Sequence, residues 1–321
     1  MLIKASAEVK FKIIDEMISR DDSLLNISWL CDIACVSRSG YYRWLDAADA
    51  RNAREEQDKQ DFTLILEAYN HRGYDKGARG IYMHLLHRKP SVSINIKKIR
   101  RLMNKFGLKC PVRKANPYRR MAKALRTSHV APNLLNREFR THGARAVLLT
   151  DITYIPRQDG EFSYLSTILD AFTNQLLAYA VSDSLEVDFV LETINKLVAN
   201  HGISLNKETL IHSDQGCHYT SYKFIQLVKD AELRQSMSRK ANCWDNSPQE
   251  SFYGHMKDEI DLSTCHTHAQ VSAVIDDWMD YYNNERYQWQ LARLSPNEYY
   301  DYIRSGKYPL PIQPPDESFH K

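Results

Sequence analysis

Three β-rich runs follow one another within residues 146–183 of this chain: AVLLTDITYIP, FSYLSTILDAF and QLLAYAVSD. Short turns containing Gly or Asn separate them, so they read as an antiparallel meander. Beyond them the pattern predicts a helix over residues 186–200, a short strand at TLIHSD and a helix over residues 221–231. A strand near LRQSMS and helices over residues 248–262 and 268–283 complete the region. Three strands followed by alternating helices and strands describe a mixed sheet covered by helices, an α/β domain.

The part in front of it is all helical in pattern. In NISWLCDIACVSRSGYYRWLDA, Ile27, Leu30 and Ile33 keep helical spacing, Cys35 and Val36 make a tight turn, and Ser37 is placed to cap a second short helix ending near Leu45. A second helix-turn-helix pattern puts one helix over residues 78–87, a break at Pro90, and a further helix capped by Ser93 and stopped at Gly107. That last helix sets Ile96, Ile99, Leu102 and Phe106 on one side and Lys97, Lys98, Arg100, Arg101 and Lys105 on the other. A solvated helix would normally mix in acids to form i,i+4 pairs. An apolar seam opposite five cations instead fits a helix that enters a DNA groove.

Charge points the same way. The chain of 321 residues has 43 Lys and Arg against 40 Asp and Glu, yet residues 76–137 contain 17 of the bases and no acid. Such a block is an electrostatic footprint for a polyanion, and nucleic acid is the leading candidate. Its Pro-interrupted end, which includes Arg113 and Lys114, reads as a linker that tracks DNA. The expected organisation is a helix-turn-helix-like segment (residues 1–50), a second and basic helix-turn-helix (51–112), a basic linker (113–140), the α/β domain (141–305) and a Pro-rich tail (306–321).

Other classes are excluded. No run approaches the roughly 18 apolar residues of a membrane helix. The opening MLIKASAEVKFKIIDEMISR lacks the apolar core of a secretion signal, and six cysteines form no dense framework, so a reducing cytosol is expected. Cys31, Cys35, His84 and His87 have poor spacing for zinc, and the cysteines read better as small apolar residues.

Three carboxylates in the α/β domain stand out. Asp151 lies in the middle of the first strand, where Asp is disfavoured, so either a buried hydrogen-bond partner or a metal must compensate it. Asp214 follows the fourth strand in HSDQG; ordinary turn chemistry accounts for it, but strand carboxyl ends are also where α/β sheets place ligands. Glu250 opens a helix, where Ser247-Pro248-Gln249-Glu250 has the form of a capping box that explains it without chemistry. Lys257 stands two turns further along the same helix face. Together the three acids could hold two Mg²⁺ or Mn²⁺ ions, about 4 Å apart in phosphoryl-transfer enzymes, and oxygen-only ligands argue against Zn²⁺. His212 should share the face of Asp214, and a core role suits it better than a ligand role.

The segments LLTDITYIP, HSDQGCHYTS and SMSRKANCWDNSPQESFYGHMKDE closely resemble those of bacterial insertion-sequence transposases with a retroviral-integrase-type core. The family pattern has 35 residues between its second Asp and its Glu and a basic residue seven after the Glu, as at Asp214, Glu250 and Lys257 here. The resemblance covers roughly residues 25–305, including GYDKGARGIYMHLL and KKIRRLMNKFGLK in front. Ala241, Ser247 and the pair Leu148-Leu149 depart from its commoner residues.

The resemblance implies a ribonuclease-H-like catalytic core behind an all-α helix-turn-helix region. It implies that Asp151, Asp214 and Glu250 bind two Mg²⁺ or Mn²⁺ ions. Lys257 would contact DNA near the scissile phosphate, and residues 236–246, with Arg239, Lys240 and Trp244, would lie against substrate. The reaction implied is cutting at the element's ends to free a 3′-OH that attacks another phosphodiester, without a protein–DNA covalent intermediate. The implied partners are the terminal inverted repeats, target DNA, further copies of the chain on DNA, and an upstream-frame protein with a helix-turn-helix and leucine zipper. The implied location is the bacterial cytoplasm, at the nucleoid. Asp170 resembles a family position without a catalytic role and reads as a turn or structural acid. A nuclease without strand transfer and a DNA-binding regulator without catalysis are the rival readings.

Overall fold

The structure, a computed structural model, describes residues 5–19, 26–74, 76–110, 134–135, 142–238, 246–262 and 264–315. Backbone contacts gather them into two compact units, Met1–Leu66 and Glu67–Lys321. No helix among the described residues is long and apolar enough to cross a membrane.

In the first unit, α1 (Ala7–Ile18), α2 (Ile27–Ile33) and α3 (Arg38–Asp46) pack on one another around Phe11, Ile14, Leu30, Cys31 and Tyr41. The turn between α2 and α3 is the expected one: Cys35 takes a left-handed φ of 52°, and Ser37 accepts a hydrogen bond from Gly40 N at 3.0 Å. Gly40 is needed there, since a Cβ would meet Ser37 Oγ at 2.8 Å and Phe11 Cζ at 3.1 Å. Ile33 does not join the seam its spacing suggested; it is 63% exposed. The 23-residue α4 (Ala48–Asn70) follows; residues 48–61 contain nothing more apolar than Ala, and Phe62, Ile65 and Tyr69 keep helical spacing only near its end.

The second unit begins with a helical pair, α5 (Ala78–His87) and α6 (Ile96–Lys105). The expected cap of α6 moves by two residues: Asn95, not Ser93, is the N-cap, and its side chain accepts from Lys97 N at 2.8 Å. Ile99, Leu102 and Met103 are buried, whereas Lys97, Arg100, Arg101 and Lys105 are exposed and Lys98 is half-buried. α5 is tied to the C-terminal helices α10 (His268–Asn284) and α11 (Pro296–Ser305). His87 bonds Glu298 at 3.0 Å and stacks on Tyr287, while Arg72, just before α5, bonds Asp280 at 3.0 Å. Cys31 belongs to the core of the first unit, and His87 is engaged by Met83 O as well as Glu298.

The sheet has five strands in the order β3-β2-β1-β4-β5. β1 (Val147–Pro156), β2 (Phe162–Asp170) and β3 (Leu176–Ser182) form the antiparallel meander. β4 (Leu210–Ser213) runs parallel to β1, and β5 (Arg234–Met237) runs parallel to β4. α7 (Asp188–His201) and α8 (Tyr222–Asp230) bury Leu148 and Ile168 against Ile194, Leu197 and Phe224 on one face. α9 (Ser247–Glu259) and α10 bury Ile155, Leu165 and Leu169 against Phe252, Met256 and Trp278 on the other. This is the α/β core that the sequence pattern implied. Because side chains alternate along a strand, Asp151 shares the face of Leu149 and Ile155, the face covered by α9.

Asp170 is the structural acid it was expected to be. Fully buried, its Oδ2 accepts from Arg145 N at 2.8 Å and Arg145 Nη1 at 2.9 Å, and its Oδ1 accepts from Phe172 N and Thr173 N. Removing one partner of such a pair leaves an uncompensated charge in the interior. Arg145→Met is therefore expected to cost about 3–5 kcal/mol in chemical denaturation. A loss below about 1 kcal/mol would show that the pair is not what holds this end of the sheet together.

Candidate active site

The parallel ladder between β1 and β4 closes with the pair Leu149↔His212. Asp151 and Asp214 each stand two residues past that pair, so both carboxylates lie where the two strands part at the carboxyl end of β4. Asp151 is half-buried, and its Oδ1 accepts from Ile152 N at 2.8 Å. Asp214 is exposed and accepts from Gly216 N at 2.8 Å, so the expected turn chemistry is present at the strand end. A Cβ on Gly216 would lie 2.8 Å from Asp214 Oδ1, which reserves that position for glycine.

Glu250 lies in the first turn of α9. The expected capping box does not form. Ser247 is already helical, and Asn246, the N-cap, makes no side-chain cap bond, so capping does not account for Glu250. Pro248 sits at the helix start as anticipated, its missing N–H costing nothing there. Gln249 and Tyr253, one turn apart on α9, are buried and fasten the helix to Thr167, the cross-strand partner of Asp151.

The electrostatics join these groups. The Asp151 carboxyl is pushed up to about 8, first by burial and then by the charge of Asp214, with Ile152 N opposing, Glu250 adding and Lys257 opposing. Although Asp214 is an exposed residue, partial desolvation by the protein around it raises its carboxyl, against the pull of Gly216 N and His218. Lys257 is exposed as a whole residue, yet desolvation by the surrounding protein lowers its amine, and the charge of Asp151 pulls it back up. Asp214, Glu250 and Lys257 are thus all within electrostatic reach of Asp151. Among the described residues, however, no three His, Cys, Asp or Glu side chains converge tightly enough to hold an ion as they stand.

His212 is fully buried and bonds Ser236 at 2.9 Å, as befits a core histidine. His268 opens α10 behind a Thr267 capping box, and Tyr281 and Tyr282 belong to the core. Arg113, Lys114, Arg239, Lys240 and Trp244 lie outside the described residues. Thr167, Gln249 and Tyr253 carry little mark of this role in the sequence, beyond the i,i+4 spacing of Gln249 and Tyr253 around Glu250.

A parallel-antiparallel sheet of this order, with acids where its inner strands β1 and β4 part and a basic helical pair in the same unit, defines an integrase-type α/β core with a helix-turn-helix front. Family models agree. Two models of an integrase core domain match residues 141–243 and 231–296, and a model of an HTH-like domain matches residues 56–116. An uncharacterized transposase-like protein of Haemophilus influenzae is 34% identical over 212 residues, 65% of this chain and 94% of that protein. A 31 kDa protein of insertion element IS600 from Shigella sonnei is 28% identical, over 83% of this chain and 96% of its own. The putative transposase InsK of element IS150 from Escherichia coli is 29% identical, over 82% and 89%. The chain belongs to the insertion-sequence transposases with an integrase core. DNA transposition is the activity of that family, and an integrase-type core implies polynucleotidyl transfer.

Proposed function

We propose that this transposase cuts the ends of its insertion sequence to free a 3′-OH and joins that hydroxyl to another phosphodiester, with Asp151, Asp214 and Glu250 as the ligands of two Mg²⁺ or Mn²⁺ ions. The observation that carries this reading is the placement of Asp151 and Asp214, which leave the ladder at the same level, with the charges of both Asp214 and Glu250 bearing on the Asp151 carboxyl. Acids that repel one another in a partly desolvated place favour a cation, and an all-oxygen donor set suits Mg²⁺ or Mn²⁺. Bound there, the ions would activate the attacking hydroxyl and stabilise the leaving oxygen. Asp151, Asp214 and Glu250 would supply the oxygens that hold them. Lys257, in line behind Glu250, contacts the phosphates flanking the cut.

Binding falls to the basic front. α6 presents Lys97, Lys98, Arg100 and Arg101 to the terminal inverted repeat, residues 113–140 (Arg113 and Lys114 among them) track the backbone, and Arg239 and Lys240 lie against substrate beside the site. In this reading residues 1–50 and 51–112 are separate recognition segments, residues 141–305 the catalytic domain and 306–321 a tail. The chain works at the nucleoid as a homo-oligomer on DNA that brings element ends to target DNA, together with an upstream-frame helix-turn-helix and leucine-zipper protein.

The test is divalent-metal-dependent nicking and joining of a labelled duplex carrying the element's own end, with wild type beside Glu250→Gln. The expected result is that wild type, supplied with the upstream-frame protein, cuts and joins, while the variant binds the duplex and does neither. Cutting without joining would leave a nuclease. Specific binding with no cutting, even with that protein present, would leave a regulator.

A further inference from the structure

We propose that Tyr253 is a positioning residue for the reacting centre, fixing Glu250 relative to Asp151 through a directed chain of hydrogen bonds that ends on the main chain of Asp151. The inference rests on the reading of these carboxylates as cation ligands. Gln249 and Thr167 are fully buried and Tyr253 nearly so, so their polar atoms must find partners inside the protein.

Elementary hydrogen-bond rules determine the direction of every link. The Asp151 carbonyl carries no proton, so the Tyr253 O–H donates to it, at 2.6 Å. The carbonyl of Leu165, 3.5 Å from the same hydroxyl, is the long branch of that bond. Having used its proton, the Tyr253 oxygen accepts, so the Thr167 hydroxyl 2.8 Å away donates to it. The Thr167 oxygen in turn accepts from Gln249 Nε2. The chain therefore runs Gln249 to Thr167 to Tyr253 to Asp151, with no free choice of donor at any step.

Its two ends explain its use. Gln249 and Tyr253 stand on α9 on either side of Glu250, and Asp151 and Thr167 are register partners across β1 and β2. The first turn of the helix that presents one carboxylate is thus bonded to the strand residue that presents another. Gln249 Oε1 finds no partner among the described residues, an unsatisfied buried acceptor tolerated while the amide's other end is held in place. Removal of groups that orient metal ligands typically lowers metal affinity roughly 10–100-fold. A packing anchor would lower stability instead.

The experiment measures Mn²⁺ binding to the full chain without DNA, from the paramagnetic-resonance signal of free Mn²⁺, together with thermal melting. Asp151→Asn is the control for the underlying reading and is expected to lose binding. Tyr253→Phe and Thr167→Val are each expected to weaken Mn²⁺ binding about tenfold or more, beyond what the few degrees of melting lost with one buried hydrogen bond account for. The double variant should be no worse than either alone, because one broken link breaks the chain. Thr167→Ser, which keeps the hydroxyl, should bind like wild type.

If Asp151→Asn loses Mn²⁺ while Tyr253→Phe binds it as wild type does, the positioning role is overturned and the carboxylate reading stands. If Asp151→Asn binds Mn²⁺ like wild type, the carboxylate reading fails and the positioning role with it. An affinity that falls only in step with the melting midpoint across the variants would reduce the chain to a packing contact. Should Tyr253→Phe not fold, the pair Thr167→Val and Thr167→Ser decides by the same criteria, since both keep the tyrosine ring.

Discussion

Asp214→Asn is expected to abolish metal-dependent cutting of the element's end, by on the order of 10³-fold or more, while leaving affinity for that DNA about unchanged. The substitution is nearly isosteric, and the amide oxygen of Asn can still accept the bond from Gly216 N that shapes the turn after β4. The local fold therefore survives and only the negative charge is lost. That charge stands at the level of Asp151 where β1 and β4 part, and it is the largest electrostatic influence on Asp151 after burial. Mobility shift on the end duplex and nicking of the same duplex with Mn²⁺ make the comparison. Undiminished cutting would remove Asp214 from the reacting centre, and equal loss of binding and cutting would indicate a folding defect.

Neutralising Lys97, Lys98, Arg100 and Arg101 together with Gln is expected to weaken end binding strongly and to flatten its salt dependence. Every phosphate that the helix no longer neutralises lowers the slope of log K against log salt by about 0.9, so four such phosphates lower it by about 3–4. The helix should tolerate the change, because its packing comes from Ile99, Leu102 and Met103, and the cap from Asn95 is untouched. Gln also retains good helix propensity. The measurement is binding of the end duplex across a salt series, with circular dichroism to check the helix content. An unchanged slope would mean that α6 is not the helix that meets the phosphates.

Legibility differs from element to element. α5, α7, α8 and α10 are readable within one to two residues because each carries an apolar stripe and a recognisable start or stop. The meander is readable because its strands are contiguous and joined by turn residues. α4 is not, since residues 48–61 contain nothing more apolar than Ala, and the cap of α6 falls on Asn95 because three capping residues, Ser91, Ser93 and Asn95, compete in SVSIN. The capping box at Ser247 fails for a different reason: its sequence form is correct, but the helix begins one residue early, so Ser247 is itself helical and cannot serve as the N-cap.

The sequence alone determined which groups are available and on what kind of element each stands: one acid inside a strand, one at a strand end, one at a helix start, and a lysine two turns behind it. It also determined the basic face of α6, because helical spacing within ten residues decides what lies beside what. Only the tertiary structure decided that α9 crosses the sheet at Asp151, and that Tyr253 and Thr167, both remote from Asp151 in the chain, hold it there. The register Leu149↔His212, which brings Asp151 level with Asp214, is likewise a long-range pairing. Local periodicity reports only neighbours along one element. Contacts between elements are chosen by how whole faces bury against one another, which no short window of sequence contains.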